Sequence, residues 1–306
     1  MPRSRIRYLA AALSAAALWG FISVPMRNMH SHSSEQILYY RVLCSLIIVW
    51  IVIISGRRQA LRSNFENVQL LLRPEKVKLL FLILTAGVLI TLNWFTFIYV
   101  INHISLQSGV FAYLVCPIIT ALLGFLLLRE QLSRLKIVAI SMAFISISVM
   151  ATGSLREVAW SVAVALTYAG YLIIQRVTAH IDRFTMLGVQ LIISSLFLLP
   201  FFIIHFEPVP IETSFWINTL ALAVIFTIIP LFLSMYALTG VPSSTVGITI
   251  YLNPIIAFGV AVLYFHDPVD RHKLWGYLVL LFAVILFNWN VIHESIIRKR
   301  VTEPVA

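Results

Sequence analysis

Long apolar runs separated by short polar stretches dominate the chain. A helix needs about 20 mostly apolar residues to cross the hydrocarbon core of a bilayer, and ten runs reach or approach that length. They lie approximately at 8–27, 36–55, 78–101, 107–128, 134–153, 158–176, 184–205, 214–238, 243–265 and 273–293. These runs are too long, and too evenly apolar, to be strands of a membrane barrel. The pattern predicts an all-α integral membrane protein with ten transmembrane helices.

Composition excludes an ordinary water-soluble fold. Of the 306 residues, 60% are hydrophobic and 11% are charged, whereas a soluble domain carries about 25% charged residues. The connector at 56–77 is the exception, a polar stretch that we interpret as amphipathic. Cys44 and Cys116 lie within apolar runs and lack the spacing of zinc ligands, so we expect small buried side chains at both positions.

The net charge of +10 is distributed unevenly over the loops. With the N-terminus in the cytoplasm, 17 of the 22 Lys and Arg residues lie on the cytoplasmic side, four lie outside, and Arg41 lies within the second span. Basic residues accumulate in the cytoplasmic loops of membrane proteins. We therefore expect both termini to be cytoplasmic, and the basic surface to face anionic lipid rather than nucleic acid.

The second half of the chain resembles the first. A shift of 137 residues aligns the third to fifth runs with the eighth to tenth, and it superimposes Pro117 on Pro254 and Glu130 on Asp267. A shift near 150 pairs the first run with the sixth. Because five spans is an odd number, the second copy enters the membrane from the opposite side. Inverted repeats of this kind are typical of secondary transporters, although duplication also builds membrane proteins that do not transport.

Several motifs resemble the EamA repeats of the drug/metabolite transporter superfamily. The fourth span ends with the pattern found in these repeats, namely Pro117, Gly124 and Glu130-Gln-Leu132. The resemblance covers about residues 8–293. Within the superfamily, Arg41-Val-Leu-Cys-Ser45 and Leu92-Asn93-Trp94 are similar to RarD-type permeases. Two positions depart from the RarD-type pattern: Tyr40 replaces a His before Arg41, and Cys116 replaces an Asn before Pro117.

The resemblance implies an architecture and a function. It divides the chain into a first five-helix repeat at 8–153, which includes the cytoplasmic connector 56–77, a second at 156–293, and a cytoplasmic tail at 294–306. It implies a permease or exporter of the bacterial inner membrane, monomeric or homodimeric, that moves small metabolites such as amino acids or drug-like solutes. We expect no enzymatic activity, cofactor, metal or nucleic-acid partner. An intramembrane enzyme and a receptor or assembly subunit without transport remain the alternatives.

Few charged groups are available for chemistry inside the membrane. All twelve acids lie in loops or at span ends, so no carboxylate is predicted at midplane for a proton relay or a protease pair. We interpret Glu130 and Asp267 as anchors of loops. Arg41 is the one basic residue well inside a span, and it either faces the substrate, where it would suit an anionic group, or reaches the headgroups or Glu35 instead.

Polar and aromatic residues at span depth complete the candidate site. Buried amides in a bilayer bind other helices or a ligand, and aromatic side chains near midplane suit a cavity for partly apolar solutes. The candidate substrate-binding residues are Trp19, Arg41, Asn93, Trp94, Tyr113, Tyr168, Tyr251 and Asn253. Proline kinks at corresponding positions of two repeats indicate a transport site, so Pro117, Pro230 and Pro254 are candidates for gating or for packing alone.

Overall fold

The chain folds into a bundle of helices. The computed structural model describes residues 2–29, 31–103, 106–150, 155–204, 207–266, 271–290 and 293, and these ranges contain no β-strand. The helices are α1 (Pro2–Gly20), α2 (Ser23–Asn28), α3 (Ser34–Gly56), α4 (Arg58–Leu70), α5 (Arg73–His103), α6 (Leu106–Leu128), α7 (Arg134–Met150), α8 (Leu155–Val177), α9 (Arg183–Ile204), α10 (Thr213–Ala223), α11 (Ile229–Leu238), α12 (Ser243–Thr249), α13 (Leu252–Leu263) and α14 (Arg271–Phe287). A π-helical segment, Val224–Ile228, joins α10 to α11. The predicted tail at 294–306 and Asp267 lie outside the described residues.

Seven helical stretches in the described ranges are long and apolar enough to cross a membrane. They are Arg5–Asn28, Ser34–Gly56, Arg73–Val100, Leu155–Val177, Arg183–Ile204, Thr213–Leu238 and Ser243–Val260. The other three predicted spans coincide with α6, α7 and α14, where the described apolar stretches Ala112–Leu128 and Leu278–Phe287 are shorter. An all-helical protein with several membrane-crossing helices is confirmed, and the count of ten spans stays a prediction.

Three of the long stretches are interrupted helices. The short α2 follows α1, the π-helical segment separates α10 from α11, and Ile250 and Tyr251 separate α12 from α13. A proline lies near the start of each second piece: Pro25 in α2, Pro230 in α11 and Pro254 in α13. Proline lacks an N–H and is best tolerated in the first turn of a helix. The chain therefore tolerates these prolines by restarting the helix at each one.

The polar connector forms helix α4, which has no buried residue. Leu61, Phe65 and Val68 recur at the spacing of one helical face, and Phe65 is 63% exposed. The amphipathic character predicted for the connector is thus confirmed. A helix of this kind suits the boundary between lipid headgroups and acyl chains.

Contacts between the two halves follow a reciprocal pattern. By order and alignment, α1 corresponds to α8, α3 to α9, α5 to α10–α11, α6 to α12–α13 and α7 to α14. Helix α8 packs against α5 and α6, and α1 packs in return against α11 and α13; α9 packs against α5, and α3 against α10. The pairs α3–α9, α6–α12 and α7–α14 join counterparts directly. Each of these contacts thus has an equivalent when the halves are exchanged.

The backbone repeats an unusual conformation at equivalent positions. Among the described non-glycine residues, positive φ occurs at Arg129 (53°) and at His266 (59°). These residues are 137 positions apart, which is the shift that aligns the two halves, and they follow α6 and α13 respectively. The left-handed conformation is unfavourable for residues with a side chain. The shared φ therefore indicates that the two aligned helices end in the same kind of turn.

Polar and aromatic contacts join both halves at the end of the bundle where α1 begins. The Tyr8 and Tyr236 rings are 4.9 Å apart, and the Arg183 guanidinium lies 5.1 Å from the Tyr236 ring. Arg57 at the end of α3 donates a hydrogen bond of 2.6 Å to Asp182, just before α9. We call this region the α1 end.

Glu130 bridges the halves at the same end. One carboxylate oxygen accepts hydrogen bonds from the Ser243 N–H at 2.6 Å and from the Ser243 hydroxyl at 2.7 Å. The other oxygen accepts from the Ser244 N–H at 3.0 Å. Since the first turn of a helix has N–H groups without intrahelical partners, Glu130 satisfies two such groups of α12. The expectation that Glu130 is an anchor is confirmed.

Candidate functional site

Arg41 lies against an aromatic ring and pairs with no acid among the described residues. It is half-buried in the second turn of α3, and its guanidinium carbon lies 5.0 Å from the centre of the Trp94 ring on α5. No hydrogen bond or ion pair joins Arg41 to Glu35, whose side chain is exposed. The Arg41 Nε atom is buried without a hydrogen-bond partner in the described part of the chain. The guanidinium is thus held by a cation–π contact, with hydrogen-bonding capacity unused.

A row of aromatic side chains extends from Arg41 across the halves. Tyr113 on α6 and Trp94 on α5 pack against the buried apolar core that contains Tyr168 of α8. Tyr168 is 5% exposed, and its ring meets that of Trp19 on α1 edge to face, with centroids 6.0 Å apart. Phe97 packs against Tyr113 at 5.0 Å. The structure thus brings five of the predicted residues into one cluster: Trp19, Arg41, Trp94, Tyr113 and Tyr168.

The π-helical segment fixes the position of Trp19. Pro230 has no N–H to donate to the carbonyl of Phe226, four residues earlier. The Trp19 indole N–H donates to that carbonyl at 3.0 Å. This bond crosses from the first half of the chain to the second, so a proline in α11 orients an aromatic side chain of α1.

Tyr251 lies in the break between α12 and α13. Its side chain is fully buried, and its hydroxyl has no hydrogen-bond partner among the described residues. Val115 on α6 packs against the buried core that contains Tyr251 and also against the one that contains Tyr168, which links this position to the aromatic cluster. Half-buried Asn253 and buried Pro254 follow in α13.

Several buried polar atoms around the cluster lack partners. The hydroxyls of Tyr168 and of Ser234 on α11 approach each other without reaching hydrogen-bond geometry, and each is otherwise unpaired among the described residues. Arg41 Nε and the Tyr251 hydroxyl are also buried without a hydrogen-bond partner among the described residues. The great majority of buried polar groups in proteins are hydrogen-bonded. A concentration of unpaired donors beside aromatic rings therefore indicates a place where a ligand or water completes the bonds.

Asn93 and Pro117 have structural surroundings of a different kind. The Asn93 amide is buried and donates to the Val164 carbonyl at 2.9 Å and to the Thr167 hydroxyl at 3.3 Å, which joins α5 to α8.

Pro117 lies inside the continuous helix α6, whereas its counterpart Pro254 lies in the first turn of α13. The two aligned prolines therefore occupy unlike local structures.

Sequence reasoning missed three residues near the cluster. Cys116 was expected only as a small buried residue, and Ser234 and Tyr171 were not singled out. Tyr171 is fully buried beside Tyr168, with ring centroids 5.9 Å apart. Helical spacing carries the signal: Tyr171 follows Tyr168 by three positions, Cys116 follows Tyr113 by three, and Ser234 follows Pro230 by four. Each missed residue thus lies on the same helical face as a predicted one.

Comparison with known proteins identifies relatives over almost the whole chain. An uncharacterized transporter of Bacillus subtilis, YojE, is 26% identical over 89% of this chain and 90% of its own length. The RarD protein of Streptomyces exfoliatus is 25% identical over 94% of this chain and 90% of its length. The RarD protein of Escherichia coli is 26% identical over 93% and 94%, respectively.

A structural match and a family match point to the same kind of protein as these relatives. A crystal structure of a protein 12% identical in sequence superposes with a TM-score of 0.73 over 93% of this chain and 98% of that one, which shows a common fold. The EamA-like transporter family matches residues 6–152 and again residues 155–289. The chain therefore belongs to the EamA-like transporter family and is a multi-pass membrane permease close to RarD.

Proposed function

We propose that the protein is a secondary transporter that moves small organic metabolites across the bacterial inner membrane by alternating access. Amino acids and drug-like solutes are the candidate cargo. The observation that carries the proposal is the reciprocal packing of the two halves, in which exchange of α1 with α8 and of α6 with α12–α13 preserves the contacts. An inverted repeat lets one set of contacts open while its equivalent closes.

The cluster between the halves is the proposed substrate site. Trp19, Arg41, Trp94, Tyr113 and Tyr168 would contact the solute, and Tyr251 and Asn253 would border it from the break between α12 and α13. Aromatic walls with a few convergent polar groups are typical of small-molecule sites. Because the Asn93 amide is already bonded to α8, we propose that Asn93 orients Trp94, its neighbour in the sequence, within the site.

The interrupted helices are the proposed moving parts. Pro230 and Pro254 lie at helix restarts beside the cluster, and broken helices in both halves are typical of transporter sites. Pro117 would act as a bend within α6. Opening at the α1 end would require the bonds from Glu130 to Ser243 and from Arg57 to Asp182 to separate.

The orientation of the protein in the membrane is proposed from charge. Residues at the α1 end include Arg57 and Arg183, and the basic loops assigned to one side hold 17 of the 22 basic residues. By the positive-inside tendency, the α1 end and both termini would be cytoplasmic.

A reconstituted flux assay tests the transporter proposal. The purified protein in liposomes is expected to move members of a broad metabolite panel, including amino acids, faster than protein-free liposomes do. Trp94→Ala should reduce flux, whereas Trp275→Ala, which removes a 69% exposed tryptophan of α14, should not. Absence of flux for every solute, in both directions, contradicts the proposal.

A further inference from the structure

We propose that the transported solute is an organic anion, with a carboxylate at Arg41 and a flat apolar body against Trp94 and the tyrosines. This proposal deepens the function proposed above and rests on it. It assigns a charge and a shape to the cargo and makes Arg41 the residue that selects for charge.

No acid in the described part of the chain neutralises the positive charge of Arg41. Within the described ranges, the acids with defined contacts pair elsewhere: Glu66 with Arg62, Asp182 with Arg57, and Glu212 with His32. The Glu130 carboxylate accepts hydrogen bonds from Ser243 and Ser244 at the α1 end. A charge within a membrane span is costly unless it is paired or hydrated. An anionic solute would supply the missing counter-charge.

The hydrogen-bonding capacity around Arg41 also matches a carboxylate. The unpaired Arg41 Nε is a donor, and a guanidinium binds a carboxylate through two parallel N–H groups. The hydroxyls of Tyr168 and Ser234 make no hydrogen bond within the described ranges and can donate to further oxygen atoms of the solute. A carboxylate is a pure acceptor, so it suits the unpaired Arg41 donor, and other oxygen atoms of the solute would suit the two hydroxyls.

The rest of the cluster favours a flat apolar body. Trp94 lies under the guanidinium, and Trp19 and Tyr168 meet edge to face at 6.0 Å. The Trp19 indole N–H already donates to the Phe226 carbonyl, so Trp19 would contact the solute through its ring and not through a hydrogen bond. Aromatic solutes pack well against such rings in offset or edge-to-face arrangements.

The same features disfavour a cationic solute. An ammonium group would be repelled by Arg41, and the described contacts of the cluster include no carboxylate that could bind it. A zwitterion would be attracted to Arg41 through its carboxylate and repelled through its ammonium group. The expected order of preference is therefore anion, zwitterion, neutral amide and cation.

The test compares four probes with the same indole body. Indole-3-acetate, tryptophan, indole-3-acetamide and tryptamine are presented to the full-length protein in liposomes, and counterflow is measured against protein-free liposomes. Binding of the same probes is measured by calorimetry in detergent. We expect indole-3-acetate to move and to bind at least tenfold better than tryptamine.

Variants of Arg41 assign the preference to its charge. Arg41→Gln should lower counterflow and affinity for indole-3-acetate at least tenfold and leave the amide unaffected, whereas Arg41→Lys should retain part of the activity. Arg62→Gln is the matched control, because Arg62 is 83% exposed on α4 and pairs there with Glu66. This variant should behave as the unmodified protein. Melting curves of each variant establish that it is folded.

The outcomes separate the two proposals. Equal handling of tryptamine and indole-3-acetate, or an unchanged anion preference in folded Arg41→Gln, overturns the anion proposal and leaves the transporter intact. Binding of none of the four probes also overturns it, while the broad metabolite panel decides the transporter question independently.

Discussion

Pro230 cannot donate to the Phe226 carbonyl, and the indole N–H of Trp19 does so instead at 3.0 Å. At the scale of single residues, this exchange explains why an aromatic side chain of α1 has a fixed orientation between the halves. A buried carbonyl without a donor is unfavourable inside a membrane protein, and the Trp19 indole supplies that donor. The absence of an N–H at Pro230 thus helps to orient Trp19 within the aromatic cluster.

This dependence can be measured with a double-mutant cycle. Trp19→Phe keeps most of the ring but removes the donor, and it should cost about 1–3 kcal/mol in the free energy of unfolding because the Phe226 carbonyl loses its partner. In the Pro230→Ala background, the backbone N–H at position 230 becomes available to Phe226, and the same substitution should cost less. Denaturant titrations in mixed micelles provide the four values. An equal cost in both backgrounds would argue against the exchange.

At the scale of helices, Glu130 joins the turn after α6 to the start of α12 through three hydrogen bonds. Arg129, immediately before it, adopts a φ of 53°, and the Glu130 N–H donates to the Gly124 carbonyl at 3.0 Å. The turn with the left-handed Arg129 therefore lies where the Glu130 carboxylate reaches α12 in the other half. The joint between α6 and α12 depends on backbone conformation as much as on charge.

Removal of the Glu130 carboxylate should weaken this joint. Hydrogen bonds to a charged group contribute about 1.5–3 kcal/mol, and we expect Glu130→Ala to destabilise the protein by that order. Glu66→Ala is the control, since the Glu66–Arg62 pair is an exposed i,i+4 contact worth roughly 0.3–0.5 kcal/mol. Unfolding titrations of both variants make the comparison. Similar losses for the two would contradict a special role for Glu130.

The crossing of α6 and α12 also requires a residue without a side chain. A Cβ atom on Gly247 would lie 2.7 Å from the Cβ of Thr120, whereas one on Gly259 would meet nothing within 4 Å. Overpacking a tight contact costs about 1–3 kcal/mol, and alanine is favoured over glycine in a helix by roughly 0.5–1 kcal/mol. Gly247→Ala should thus lower the melting temperature and Gly259→Ala should maintain or raise it. The reverse order would be incompatible with the close α6–α12 crossing.

At the scale of the whole molecule, the α1 end combines basic side chains with an attached helix. The α1 end holds Arg57 and Arg183. Helix α4 follows directly after Arg57 and leaves Phe65 and Leu70 exposed, by 63% and 83%. An amphipathic helix beside basic residues is stabilised by an anionic membrane surface. The α1 end thus combines basic side chains with an exposed amphipathic helix.

Orientation is open to direct measurement. Tags on both termini should be accessible only after the cytoplasmic face is exposed, because the loops with 17 of the 22 basic residues are assigned to that face. A cysteine introduced at Asn67, an exposed position of α4, should be protected from impermeant maleimide in intact cells. Labelling of Asn67→Cys in intact cells, or a translocated C-terminal tag, would reverse or break the proposed topology.

Sequence patterns predicted the helical membrane fold, the relation to EamA repeats and the amphipathic connector, because each depends on residues near one another in the chain. They also identified Arg41, whose charge is unusual within an apolar run. They left open whether Asn93 binds a ligand or a helix and whether Arg41 pairs with Glu35, since those answers depend on contacts between distant segments. The π-helical segment and the break at Tyr251 were likewise not predicted, because both arise where packing competes with regular helical hydrogen bonds.

If Arg41 binds the solute as proposed, its guanidinium, which pairs with no described acid, links transport to the membrane potential. A bound monoanion would make the site electrically neutral, so reorientation of the loaded protein would move little charge through the field. The empty protein would retain one positive charge, and a full elementary charge crossing the field is worth about 2.3 kcal/mol per 100 mV. Voltage would then act mainly on the return of the empty site. An imposed potassium diffusion potential should therefore change net flux more than it changes one-for-one exchange.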